Sequence, residues 1–265
     1  MSVLYRLSGG GNDFLALAEP ETTPGEERIR AWCSRGLSLG ADGLFVLRRR
    51  GADVVMDYFN ADGRAAELCL NGTRCAARLS RHLGWCDEEV GLITGCGPVR
   101  ARILDEQRTG LELPAPAAPE TCETEVDRTL YRGWFLEVGV PHLVLSWPQG
   151  LAEAPVETAG PPLRRHPRFG ERGANVDFVR YLPPHRLEIR TFERGVEAET
   201  LACGTGVMAA AAVGVAHHGL ALPIDALTAG GFTMRVEDAG AGEDGDRWRL
   251  SGDARLLAVL DALPA

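Results

Sequence analysis

The stretch LACGTGVMAAAAVG, residues 201–214, sets one cysteine against a Gly-x-Gly turn, and the chain then carries no polar side chain as far as Ala216. A helix that is apolar on every face has no side to give to water. It should be buried all round, as if wrapped by a sheet. Its longest uncharged apolar run, Val207 to Ala216, is about half of what a bilayer span requires, which makes it a core helix and not an anchor. The cysteine at its mouth needs a separate reason, because a buried cysteine on its own is usually a small hydrophobe.

The first half of the chain holds an answering pattern. VVMDYFNADGRAAELCLNGTRCAARL, residues 54–79, answers to LEIRTFERGVEAETLACGTGVMAAAA, residues 187–212, and NDFLAL (12–17) answers to NVDFVR (175–180). In each half a strand ends in Phe, a polar loop follows, and Cys-x-x-Gly opens a helix. Cys69 stands ten residues after Phe59, and Cys203 eleven after Phe192. Internal duplication turns two isolated cysteines into a matched pair.

Helix mouths explain why thiols would be wanted there. Unpaired N–H groups and the macrodipole give the equivalent of roughly half a positive charge at a helix N-terminus. A thiol ionises more easily at such a site, and the same N–H groups can hold a substrate carboxylate. Two such ends facing each other across a domain cleft would set a thiol on each side of one α-carbon. That arrangement suits inversion of a stereocentre, with proton removal on one face and return on the other.

Composition narrows the alternatives. The chain has 265 residues, 45% hydrophobic and 25% charged, within the globular range. A net charge of -9 argues against a nucleic-acid partner. Arg48-Arg49-Arg50, the sole basic cluster, reads as a solvated turn between strands. The amino-terminal sequence lacks secretory-signal features, so a cytoplasmic protein without a membrane partner is expected. Seven cysteines, with no C-x-x-C pair, fit free thiols rather than a disulfide framework or a zinc ribbon, and no metal is expected. All 28 basic residues are Arg, so lysine Schiff-base chemistry, pyridoxal phosphate included, has no anchor, and no cofactor is expected.

Coarse patterning predicts strands at 13–18, 53–59, 99–104, 134–138, 142–147, 176–182 and 186–192. Helices are predicted over 24–35 and 72–83, the second with Cys75, Ala76, Leu79 and Leu83 as its apolar stripe and Arg74, Arg78 and Arg81 off it. Residues 113–127, rich in Pro and Glu, read as a linker, and 148–173 as a Pro-rich separator. AGAGEDGD, 239–246, reads as a hairpin loop. The expected domains are 1–118, to which 254–265 returns, and 119–253.

The motifs GGGNDF (9–14), FNADG (59–63), LCLNGTRCAARL (68–79), GVPHLV (139–144), ANVDFV (174–179) and FERGVEAETLACGTG (192–206) resemble, in order and spacing, those of the diaminopimelate epimerase family, over nearly the whole chain. The resemblance implies an α/β (α+β) fold of two pseudosymmetric domains, each a mixed sheet curled around a central helix, with a cofactor-independent active site in the cleft. It implies conversion of LL-2,6-diaminopimelate to the meso isomer, a step towards lysine and cell-wall peptide, by a small-molecule enzyme that forms a homodimer. Carried over by motif, Cys69 and Cys203 are the catalytic pair, and Asn12, Asn60 and Asn175 contact substrate. Leu70, Asn71, Gly204 and Thr205 donate to the reacting carboxylate. Glu193 and Arg194 hold an amino group and the distal carboxylate, and His142 and Glu193 support catalysis. The chain departs from the common pattern at Leu70, where Gly is usual, at Val140, where Asn is frequent, and at Gly43, where Gln is often found. Another amino-acid racemase on the same scaffold, such as a histidine racemase, and a noncatalytic amino-acid-binding relative are the alternative readings.

Overall fold

The structure is a computed structural model and describes residues 3–66, 69–242 and 245–261. Two compact units divide the chain: Met1–Leu113 with Ser251–Ala265, and Pro114–Leu250. The first unit lays down β1 (Leu4–Gly9), β2 (Asn12–Ala18), helix α1 (Glu26–Cys33), β3 (Gly43–Arg50), β4 (Asp53–Asn60), the short β5 (Ala65–Ala66), helix α2 (Leu70–His82), β6 (Glu89–Thr94), β7 (Gly97–Ile103) and β8 (Arg108–Pro114). Next come β9 (Glu120–Val126), β10 (Thr129–Val138), β11 (Val140–Ser146), α3 (Val156–Arg164), β12 (Asn175–Leu182), β13 (Arg186–Glu193), β14 (Ala198–Thr200), α4 (Gly204–His217), β15 (Ile224–Thr228), β16 (Thr233–Gly242) and β17 (Gly245–Asp253). Finally β18 (Arg255–Leu260) pairs antiparallel with β1 and completes the first unit.

Strand pairing repeats step for step. In the first unit β1–β2 is antiparallel, β2–β3 parallel, β3–β4 antiparallel, β4–β6 parallel and β6–β7 antiparallel. In the second, β10–β11, β11–β12, β12–β13, β13–β15 and β15–β16 follow the same alternation. The pairing of β9 with β10 matches that of β18 with β1. The mixed α+β architecture is therefore one topology used twice, and the first copy draws its outer strand from the far end of the chain.

This topology corrects one sequence equivalence. β2 answers to β11, and β12 answers to β3, so residues 12–17 and 175–180 do not correspond. Each sits in a parallel pair, where strands draw on the same few apolar residue types, and the shared Asn and Phe mislead for that reason. The longer match, 54–79 with 187–212, is the one the pairing reproduces.

Each central helix is enclosed by its own sheet. Helix α2 packs against β1, β2, β3, β4, β6, β7 and β18, and α4 against β10, β11, β12, β13 and β16. Gly206 to Gly214 is buried without a break, as an all-apolar helix requires. So is Leu70 to Ser80, which overturns the expectation that Arg74 and Arg78 lie off the buried stripe. Both guanidiniums are hydrogen-bonded inside. Arg78 donates to the carbonyls of Ala254 (3.1 Å), Asp105 (2.5 Å) and Arg108 (3.0 Å), tying α2 to the β7–β8 turn and to the chain entering β18.

The outer helices cover the other sheet face. Ile29, Trp32 and Cys33 of α1 pack with Leu4, Leu15, Leu17, Leu44 and Val46, and Ala159 and Leu163 of α3 pack with Leu143, Leu145, Val176, Phe178 and Phe192. A Cβ on Gly160 would stand 2.7 Å from Phe192, so the glycine lets α3 lie on the sheet. Phe14, alternating with Leu15, reaches the opposite face and the start of α2. Burial on both faces is why β3 reads as the unbroken apolar run GLFVL.

Four further expectations are corrected. Residues 113–127 are mostly strand, the end of β8 and all of β9, leaving only five residues between them. Segment 148–173 holds α3 with Pro161 and Pro162 inside it, because burial of Val156, Ala159 and Leu163 outweighs helix propensity. Arg48, Arg49 and Arg50 end β3 instead of forming the turn, and Arg48 pairs with Asp57 on β4. Helix α1 is shorter than the predicted 24–35, with Gly25 as its N-cap. Within AGAGEDGD, Glu243 and Asp244 lie outside the described residues. No described helix is long and apolar enough to cross a membrane.

Replacing Arg78 with Met removes the donor to three carbonyls, the one of Ala254 buried, so the Arg78→Met variant should unfold about 1–3 kcal/mol more easily in urea. A change within about 0.5 kcal/mol, the range of ordinary surface substitutions, would show that the clamp carries no stability.

Candidate active site

Cys69 is the N-cap of α2, with extended backbone (φ -135°), and the helix ladder begins at Thr73 N donating to Cys69 O at 2.8 Å. In any α-helix the N–H groups of the first turn find no partner within the ladder itself. Gly72 N lies 3.5 Å from Cys69 Sγ, so the thiol takes the place that Ser or Asp usually fills at an N-cap. The residue is half-buried. Leu70 is buried, and the bulk that replaces the usual Gly sits inside the first unit.

A one-way chain of hydrogen bonds runs beside this thiol. Arg74 Nη2 donates to Asn71 Oδ1 (2.7 Å), Asn71 Nδ2 to Asn12 Oδ1 (2.8 Å), and Asn12 Nδ2 to Asp42 Oδ2 (3.0 Å). A guanidinium can only donate and a carboxylate only accept, so the two ends fix both amides. Gly10 has φ +60°, and a Cβ there would stand 2.9 Å from the Asn71 amide, which demands glycine. Asp13 lies alongside: burial pushes its carboxyl up, but the guanidiniums of Arg35 and Arg6 outweigh that and hold it below the usual range. Asn60, exposed at the end of β4, donates its backbone N–H to the Arg64 carbonyl and accepts at its own carbonyl from Gly63 N.

Cys203 is the N-cap of α4 (φ -112°), and Val207 N donates to its carbonyl at 3.0 Å. Here the thiol lies much deeper, 7% exposed, with Sγ 3.4 Å from Thr205 Oγ1. Around it the second unit buries His142, Asn175, Asp177 and Thr191. Arg194 N donates to Asn175 Oδ1 (2.8 Å), which turns Asn175 Nδ2 towards His142 Nε2 (3.3 Å). His142 Nδ1 then faces Asp177 Oδ2 at 2.7 Å, and Thr191 Oγ1 donates to Asp177 Oδ1 at 2.7 Å. These directions place the imidazole proton on Nδ1 and a lone pair on Nε2. A Cβ on Gly206 would stand 2.6 Å from Asp177 Oδ1, so the Gly of Cys-x-x-Gly makes room for a carboxylate.

At this second thiol, burial outweighs the hydrogen bonds with Thr205 and the Gly206 N–H, which favour the anion. Burial pushes Cys203 well above the ordinary thiol range, and the carboxylates of Glu193 and Asp177 push the same way. Glu193 is itself raised, by burial first and with the Asp177 carboxylate adding to it, against the opposing pull of Arg194. The Arg194 guanidinium forms no ion pair with any described residue, so Glu193 and Arg194 are not a surface salt bridge. Among the described residues no three His, Cys, Asp or Glu side chains group as metal ligands.

The family model described as diaminopimelate epimerase matches residues 5–113 and 134–245. The chain belongs to the diaminopimelate epimerase family. The diaminopimelate epimerase of Gemmatimonas aurantiaca is 40% identical over 78% of this chain and 76% of its own. That of Aquifex aeolicus is 32% identical over 88% of each. Among solved structures, a probable proline racemase from Agrobacterium radiobacter matches with a TM-score of 0.75 at 14% identity, covering 100% of this chain and 94% of its own. A PhzF-family phenazine biosynthesis protein from Enterococcus faecalis matches with a TM-score of 0.73 at 17% identity, covering 100% of each. At these identities the two structures show a shared fold alone.

For a member of this family the residues singled out by motif fall into two groups. Asn12 and Asn71 are joined to each other next to Cys69 and Leu70, while Asn60 stays outside that network. His142, Asn175 and Arg194 form one hydrogen-bonded set on the unit that carries Cys203, Gly204 and Thr205, and the Glu193 carboxylate acts on Cys203. Sequence reasoning missed Asp177, Thr191, Asp42 and Arg74. Asp177 carried a readable signal, being one acid in a strand that is otherwise apolar from Val176 to Val179.

A raised thiol is less ionised at a given pH and so reacts more slowly. At about pH 8, Cys203 should be alkylated by iodoacetamide at least about tenfold more slowly than exposed Cys96, read by peptide mass spectrometry. Glu193→Gln removes one of the two opposing carboxylates and should speed Cys203 alkylation; an unchanged or slower rate would contradict the assigned electrostatics.

Proposed function

We propose that this chain interconverts LL-2,6-diaminopimelate and its meso isomer without a cofactor, with Cys69 and Cys203 as the two proton carriers. The observation that carries this reading is that each unit encloses one helix and starts it on a cysteine N-cap. Membership of the family supports the substrate, and the absence of any lysine supports a route without a Schiff base.

The α-hydrogen of an amino acid is a weak acid, so removing it needs both a base and a place for the charge. Thiolate at one helix mouth takes the proton; the electron pair moves onto the α-carboxylate, where the N–H groups of Leu70, Asn71, Gly204 and Thr205 receive it. Thiol at the other mouth then returns a proton to the opposite face. Burial and two carboxylates keep Cys203 protonated, which suits it to the acid role while Cys69 acts as base. The reverse reaction exchanges the roles. Arg194 offers a fork to the distal carboxylate, Glu193 an acceptor to an ammonium group, and the amides of Asn12, Asn60 and Asn175 complete the recognition of a polar diamine. His142, held by Asp177, keeps Asn175 in its orientation.

A homodimer and a cytoplasmic location belong to the same reading, and the first rests on the family resemblance. Sedimentation of the purified chain tests the first.

Cys69→Ala and Cys203→Ala should each lower epimerisation of LL-diaminopimelate by at least roughly a thousandfold while the circular dichroism stays that of the wild type. Chiral chromatography of the products reads the loss, and a folded variant that keeps a tenth of the activity would remove that thiol from the mechanism. A panel with L-histidine, L-proline and simple L-amino acids separates the substrate reading from its rivals. Faster inversion of any of these than of diaminopimelate would reassign the substrate.

A further inference from the structure

Arg74 is the largest side chain that the fold buries completely. It lies on α2, five residues beyond the Cys69 N-cap, with no exposed surface. Of its five N–H donors, Nε reaches the carbonyl of Asp253 at 3.3 Å and Nη2 reaches Asn71 Oδ1 at 2.7 Å, while Nη1 is buried with no hydrogen-bond partner among the described residues. No described carboxylate lies within ion-pair distance. Asp253 gives Arg74 its carbonyl, and its carboxylate turns instead to Gly10 N (2.8 Å) and towards Arg255. Gly252 lies flat against the guanidinium, where a Cβ would stand 3.2 Å from Cζ. A leucine or methionine would fill this space without burying a charge, so the fold holds a cation that its own packing does not require.

We propose that Arg74 is a positioning residue for the first thiol: its buried, incompletely paired guanidinium locks the Asn71 amide at the start of α2 and supplies the counter-charge for the anion formed at Cys69. The inference rests on the reading of Cys69 as a proton carrier and says what prepares it. A helix mouth in water is screened, whereas a cation sealed behind the first turn acts through protein and keeps its field. The side chain reaches the mouth through one residue: Nη2 holds Asn71 Oδ1, and Asn71 Nδ2 holds Asn12. Arg74 therefore acts on charge and on geometry together. The second unit has no equivalent, because α4 carries Met208 at the matching place, five residues after Cys203. Its neighbours there are carboxylates instead. The two thiols are thereby set apart, one beside a buried cation and one beside buried anions.

The test is a titration of Cys69 in the reduced full chain, by iodoacetamide alkylation between about pH 6 and 10 with site-by-site mass spectrometry, Cys96 serving as the exposed reference. In the wild type, Cys69 should titrate at least about one unit below Cys96. Arg74→Met and Arg74→Gln should raise the Cys69 midpoint by about one unit, slowing its alkylation near pH 7 by roughly tenfold, and Arg74→Lys, which keeps the charge, should stay within about 0.3 unit of the wild type. A role in packing alone predicts that Met does as well as Lys. A folded Met or Gln variant with the wild-type midpoint overturns the proposal. Where neither folds, a wild-type Cys69 that titrates with Cys96, or a Lys variant raised by a full unit, overturns it equally. The titration reads Cys69 without any turnover, so failure of the substrate assignment and failure of Arg74 leave different records.

Discussion

A helix sealed inside a sheet must still find partners for the N–H groups of its first turn, and both sealed helices of this chain begin on a cysteine. That constraint organises each unit. The sheet supplies the walls, the outer helix covers the far face, and one end of the central helix is left to meet an anion. The glycine three places after each cysteine serves the same end. Gly72 brings its N–H within reach of Cys69 Sγ, and Gly206 leaves space for Asp177.

One topology used twice has not produced two equal sites. Beside Cys69 the hydrogen bonds run from a buried cation through two amides to a carboxylate, so the positive end lies on the helix that carries the thiol. Beside Cys203 they run from a backbone N–H through Asn175 and His142 to a buried carboxylate that lies against the helix. Gly43 and Asn175 occupy corresponding places at the start of β3 and β12, as do Phe14 and His142 on β2 and β11, since Leu44 pairs with Phe59 where Val176 pairs with Phe192. Different side chains at matched positions give opposite electrical surroundings to two thiols in the same local geometry. A proton can then be taken by one and returned by the other.

Much of this was written in plain sight. The all-apolar run after Cys203 announces a wrapped helix, and the repeat of strand, loop, Cys-x-x-Gly and helix announces the duplication. Helix α2 was harder to read, since Arg74 and Arg78 satisfy an amphipathic pattern although both are buried. Periodicity cannot tell a guanidinium in water from one bonded to carbonyls of residues that are distant in sequence, such as Ala254. Helix α3 was hidden by two prolines, and β9 by a composition that resembles a linker. The false match of 12–17 with 175–180 came from reading residues without strand order. Of the site, the thiols and the amides were legible because motifs carry them. Thr191 and Asp42 were not, because their roles are set by partners elsewhere along the chain, and Asp177 showed only as one acid in an apolar strand, without its partners.

Two separate groups must carry the proton if each face of the α-carbon has its own thiol. Protiated LL-diaminopimelate turned over in heavy water, sampled early and resolved by chiral chromatography with mass spectrometry, reads this directly. Two carriers predict that the newly formed meso product holds one deuterium at the inverted carbon while the recovered LL substrate remains unlabelled. Product that keeps its original hydrogen, or substrate that exchanges as fast as product appears, would mean that a single base serves both faces.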